Sequence, residues 1–114
     1  GGGIYNQGPL NVLHSTLSGN SASGGNFNQG GGICNQGTLA VTHSMLSGNF
    51  ASGGSNSNQG GGIYNLNSAV TLTNSTLSGN SASGGSNSSN DGGGIFNSSG
   101  TLTLTHSTLS GNYA

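Results

Sequence analysis

The 114-residue chain has no lysine, no arginine and no tryptophan. Asp91 is its only acidic residue, and cysteine and proline each occur once. Each shortage removes a class of function. Nucleic-acid binding depends on Lys and Arg against phosphate, so no nucleic-acid partner is expected. Attraction to anionic membranes needs the same side chains. No apolar run approaches the roughly 20 residues of a membrane helix, so this segment is expected to contain no membrane span. Any targeting segment is expected to lie outside this stretch, which opens directly on GGGIYN. Cys34 is alone and cannot close an internal disulfide. Glycoside hydrolysis usually needs two carboxylates, and only Asp91 is present. Ser and His abound, but no acid is placed to orient a His as a triad requires. The expectation is a protein that is not an enzyme, with no catalytic residue, no cofactor and no metal.

What the chain has instead is glycine (25 residues), serine and asparagine, with only 28% hydrophobic residues. That apolar share is far below the roughly 45–50% of ordinary globular chains. A flexible linker shares this bias, but disordered chains usually carry charge. The decisive feature is repetition. TLSGNSASGG occurs at residues 16–25 and again, unchanged, at 76–85. GGGI recurs at Ile4, Ile33, Ile63 and Ile95, at spacings of 29, 30 and 32 residues. Aligned on these isoleucines, the four units keep a fixed frame. The stretch from Leu10 to Ala22 has the same length in every unit, ending with Leu102 to Ala114. Length varies only just after the GGGI strand and in the linkers that carry NFNQ, SNSNQ and SNSSND. Two variable sites around a fixed frame read as loops on a repeated scaffold.

Inside the frame the period is two. Leu102 and Leu104 alternate with Thr101, Thr103 and Thr105, and Leu10/Val12, Leu39/Val41 and Val70/Leu72 are the matching pairs. Such alternation predicts half-buried strands, with GGGIYN and STLSGN supplying two more. One unit cannot bury its few apolar residues alone, but stacked units can. The sequence therefore predicts an all-β fold, a parallel β-helix or β-solenoid of about four coils, three-faced and right-handed. Residues 1–114 form a single segment, with coils starting near 1, 30, 60 and 92. The predicted columns are Ile4/Ile33/Ile63/Ile95, Leu17/Leu46/Leu77/Leu109 and an asparagine ladder, Asn20/Asn49/Asn80/Asn112. Gly19, Gly48, Gly79 and Gly111 precede that ladder, where a corner would need positive φ. The rest of TLSGNSASGG is expected to be loop.

GGGI followed by LSGN in every unit resembles the GGA-[ILV] and FxxN repeats of polymorphic outer-membrane proteins and related secreted β-helix adhesin passengers. Gly stands for Ala in the first motif and Leu for Phe in the second. The resemblance implies a β-helix and an extracellular or cell-surface setting, and it carries over no catalytic residue.

Several residues remain as candidate sites. His14, His43 and His106 share a column with Asn74, which reads as a polar strand-end position rather than a metal site. Three N-glycosylation sequons begin at Asn74, Asn87 and Asn97. Tyr5, Cys34, Tyr64 and Phe96 follow the core isoleucines, so alternation turns them outward. Either a loop folds over this column, or Tyr5, Tyr64 and Phe96 make a candidate stripe for lateral packing or for carbohydrate. The expected function is structural: a fibre, filament or surface stalk built by coil-on-coil stacking, either a longer array or copies joined head to tail. The chain's partner is then itself. The alternative is ice binding through the outward row Thr101/Thr103/Thr105 and Thr71/Thr73, which degrades to Thr38/Ala40/Thr42 and Pro9/Asn11/Leu13.

Overall fold

A computed structural model describes residues 1–85 and 89–114. The described residues form 18 short strands and no helix. They assemble into five parallel sheets, each receiving one strand from each of the first three coils, and three of them a strand from the fourth. The first sheet holds Ile4–Asn6, Ile33–Asn35, Ile63–Leu66 and Ile95–Ser98. The second holds Leu10–Leu13, Leu39–Thr42, Ala69–Thr73 and Thr101–Thr105, and the third Thr16–Ser18, Met45–Ser47, Thr76–Ser78 and Thr108–Ser110. The fourth is Ser21–Ser23, Phe50–Ser52 and Ser81–Ser83, and the fifth Phe27–Gln29, Ser57–Gln59 and Ser89–Asp91. The molecule is a β-solenoid of three complete coils, with three strands of a fourth.

Two expectations are corrected. Three faces become five, because the stretches read as loop also pair. Ser21-Ala22-Ser23 is too small and polar to signal a strand, yet its alanine column faces inward, with Ala51 and Ala82 fully buried. The linker of each coil closes as a strand as well, its length changes absorbed before Phe27, Ser57 and Ser89. Asp91 ends a strand of the fifth sheet.

Register is one residue per coil. Ile33 sits against Ile4 and Ile63, and Ile63 against Ile95. Leu17, Leu46, Leu77 and Leu109 align in the same way. The middle coils bury these columns completely: Ile33, Val41, Leu46, Ile63, Leu72 and Leu77 are all at 0% exposure. On the fourth coil Leu104 and Leu109 are 45% and 43% exposed, because no strand lies beyond them. The extra residue of the third and fourth units falls in a turn where Asn67 and Ser99 take φ of 52° and 56°. The insertion therefore leaves the flanking columns in line.

Candidate functional site

The corners decide what the surface can present. At the turn between the third and fourth sheets, Gly19, Gly48, Gly79 and Gly111 have φ between 58° and 63°. The asparagine after each glycine lies inside the corner. Asn20, Asn49 and Asn80 each donate Nδ2 to the Oδ1 of the asparagine one coil on, at 2.8, 2.9 and 2.9 Å. Their backbone N–H groups donate to the same oxygens at 3.0 Å. The second proton on Nδ2 of Asn49, Asn80 and Asn112 reaches the carbonyls of Leu17, Leu46 and Leu77. The side chain thus replaces the hydrogen bonds that a bending ladder loses.

Two further asparagine ladders went unread in the sequence. Asn6, Asn35, Asn65 and Asn97 link Nδ2 to Oδ1 at 2.7 Å each. Asn28, Asn58 and Asn90 do so at 3.0 and 2.9 Å in the fifth sheet. The signal was present: an asparagine stands two residues after every GGGI isoleucine, and one stands in each linker strand. Ser44, Ser75 and Ser107 form a fourth ladder, accepting the backbone N–H of Ser15, Ser44 and Ser75 at 3.0 to 3.2 Å.

The histidine column belongs to a corner. His14, His43, Asn74 and His106 all lie at φ between 45° and 49°. His and Asn are among the non-glycine residues that enter this region most readily, which explains why Asn replaces His in the third unit. The His14 and His43 rings stack at 5.1 Å and 18°, and Nε2 of His43 lies 3.2 Å from Nδ2 of Asn74. Near-parallel rings at that separation set their lone pairs side by side instead of converging them on one ion.

Of the sequons, Asn74 is exposed at this corner. Asn97 accepts from Asn65 and donates Nδ2 to the Gly100 carbonyl at 2.7 Å, so its amide is already engaged in the ladder. Asn87 lies outside the described residues.

The aromatic stripe requires a further correction. The column exists, with Tyr5, Cys34, Tyr64 and Phe96 in register. It is not uniformly outward. Tyr5 is 53% exposed, whereas Cys34 and Tyr64 are at 4% and 5%. Tyr64 has Cys34 on one neighbouring strand and Phe96 on the other, with Gln29 near its phenol, whereas Tyr5 has a neighbouring strand on one side only. Tyr64 stacks on Phe96 at 5.5 Å and 6°. Tyr5 has the Cys34 thiol beside it where Tyr64 has a ring. Beside Tyr5 a groove of about 450 Å³ opens between the first and fifth sheets.

Burial pushes the Cys34 thiol above its ordinary value of 9.0. Burial, and then the neighbouring Cys34, push Tyr64 above 10.0, partly offset by Gln29. Both groups are neutral in the fold, so their contribution is complete at lower pH. It drains as pH rises from those ordinary values towards the raised ones. We predict that the denaturation midpoint holds below pH 9 and falls above it. Cys34→Ala should delay the fall until Tyr64 begins to ionise. A thiol reagent should modify native Cys34 far more slowly than the unfolded chain, since each unit of upward shift removes about tenfold of the thiolate. Equal rates for folded and unfolded chains would contradict the burial.

No protein-family model matches the chain, and no curated protein or solved structure matches it either. The resemblance of GGGI and LSGN to outer-membrane passenger repeats therefore stands on those motifs alone.

Proposed function

We propose that this chain is a structural β-solenoid of an extracellular fibre, filament or surface stalk, extended coil upon coil and without enzymatic activity. The observation that supports this best is the continuity of the ladders. Every coil offers the next the same apolar columns, the same asparagine amides and the same strand edge. The outermost strands carry this pattern unpaired, with Leu104 and Leu109 uncovered. An open, apolar parallel edge is a template for another strand. A net charge of −1 sets little repulsion against it. The added coil can belong to the same chain or to a second copy, since both supply identical chemistry. Adhesion and N-glycosylation at Asn74 belong to the same reading.

The test combines assembly with repeat addition. Concentrated protein should form elongated particles whose fibre diffraction shows a meridional spacing of about 4.7–4.9 Å. A chain lengthened by further copies of the repeat should unfold at a higher temperature, because each coil adds a neighbour interface. Leu109→Asp should stop assembly without unfolding the monomer. A 10.9 kDa species that neither assembles nor gains stability from added coils would overturn the reading.

The alternative, ice binding, draws on the threonine register. Thr71 pairs with Thr103, and Thr73 with Thr105 and Thr42. Asn11, Leu13 and Ala40 interrupt the array in the first two coils. Thermal hysteresis of the purified protein would favour this reading over the structural one.

A further inference from the structure

Three histidines are the only side chains of this protein that can carry positive charge, and the fold sets them in one column. His14, His43, Asn74 and His106 occupy the corner between the second and third sheets, one in each coil. The backbone holds these corners at strand spacing. The His14 N–H donates to the Thr42 carbonyl at 3.1 Å, and the His43 N–H to that of Thr73 at 3.0 Å. The two rings therefore stack at 5.1 Å. On its other side His43 meets an amide, with Nε2 at 3.2 Å from Nδ2 of Asn74. An amide can turn either its nitrogen or its oxygen to a ring, so Asn74 suits a neutral or a charged His43. A second imidazole offers no such choice. Among the described residues His106 belongs to no ring stack, since its neighbouring coil carries Asn74. No counter-charge is at hand. The second and third sheets and the corners between them hold no Asp, Glu, Cys or Tyr, and Asp91 ends a strand of the fifth sheet.

We infer that the histidine corner is an acid switch on the contact between coils. Histidine is the side chain that gains its charge in the range of about pH 8 to about pH 5. At the upper end neutral rings stack. At the lower end two like charges stand opposite each other on paired strands, an arrangement that destabilises a sheet. The unfolded chain keeps the same residues 29 apart in sequence and escapes the repulsion, so stability falls as pH falls. Swinging one ring outward relieves the repulsion only by giving up the stack. The switch sets the acid limit of the pH profile: Cys34 and Tyr64 leave the midpoint level only down to the range in which imidazole charges. It lies on the flank of the solenoid and acts within one chain, whether or not copies extend the stack. Acid-sensitive extension is a consequence that rests on the structural reading, and the switch itself does not.

The experiment follows thermal unfolding of dilute protein by circular dichroism at about pH 8 and about pH 5. At low salt the midpoint should drop by about 3–5 °C on acidification, the effect of one like-charge pair in a chain of this size. In about 1 M salt, where the screening length is about 3 Å, at least half of the drop should disappear. His43→Asn removes the pair and installs the residue that already fills this corner in the third coil, so its midpoint should stay level. His106→Asn removes a histidine without a ring neighbour and should keep the full drop. Asn74→His turns one neighbouring pair into three, and the drop should grow about threefold. A midpoint that stays level in the unmodified protein overturns the inference. Equal effects of His43→Asn and His106→Asn also overturn it, because they would assign the drop to total charge and not to the stacked pair. So does an Asn74→His drop no larger than that of the unmodified protein.

Discussion

Asn80→Leu is expected to unfold the chain or to cost about 3–9 kcal/mol, although leucine has the same branched outline and suits a buried site. Asn80 is at 0% exposure. Its Oδ1 accepts both the backbone N–H and Nδ2 of Asn49, and its Nδ2 serves the Leu46 carbonyl and Oδ1 of Asn112. Leucine would strand three polar groups at once, the N–H and Nδ2 of Asn49 and the Leu46 carbonyl, while Oδ1 of Asn112 keeps the Asn80 backbone N–H. Buried groups left without partners cost about 1–3 kcal/mol each, which sets the range. Asn20→Leu is the internal control. Asn20 accepts nothing from a preceding coil, and without its Nδ2 the Asn49 Oδ1 still receives the Asn20 backbone N–H. That substitution should cost about 1 kcal/mol, the worth of one hydrogen bond. Urea denaturation of the two variants checks the gradient. Similar costs at both positions would mean that the ladder stabilises only by filling space.

The same contrast separates what the sequence made legible from what it hid. The Ile4 and Leu17 columns were readable because each is the one large apolar residue at a fixed offset in every unit, and the hydrophobic effect leaves it no other place. The second sheet announced itself through period-two alternation from Leu102 to Thr105. The fourth and fifth sheets gave no such signal. Ser21-Ala22-Ser23 and Asn28-Gln29 are polar or tiny, and they pair because the coil must close, not because they prefer to be strands. This is tertiary context overriding propensity. The groove followed the same fate. Alternation correctly turned Tyr5 and Tyr64 away from the isoleucine side. Position in the stack then separates them: Tyr64 lies between Cys34 and Phe96, while Tyr5 has Cys34 on one side only. His14 and Asn74 looked interchangeable as polar residues, and the backbone supplies the stricter reason of a shared left-handed turn.

The largest effect of any single methyl group should come from Gly61→Ala. In GGGI the first glycine of the third unit, Gly60, turns at φ 66°, and Gly61 then passes between two neighbouring segments of backbone. A Cβ on Gly61 would overlap the carbonyl group of Ser81 and come within 2.5 Å of the Gly93 oxygen. Neither obstacle is a side chain that can swing aside. Relief requires Gly61 to move away from Ser81 within its own coil and from the fourth coil, which breaks Gly61 N–H to Gly92 at 3.2 Å and Gly62 N–H to Gly93 at 3.0 Å. Overpacking in ordinary cores costs about 1–3 kcal/mol because side chains and backbone yield. Here the cost should exceed that range and remove the cooperative unfolding transition. Gly48→Ala provides the comparison. Its Cβ would meet nothing within 4 Å, and only the left-handed φ of 58° opposes it, at about 1–2 kcal/mol. Thermal unfolding followed by circular dichroism should therefore show a lowered midpoint for Gly48→Ala and no transition for Gly61→Ala. If Gly61→Ala melts like Gly48→Ala, the close backbone approach is not what the glycine run maintains. If it does not, the run sets the minimum distance between coils, and the apolar and asparagine columns stay in contact because no side chain intervenes there.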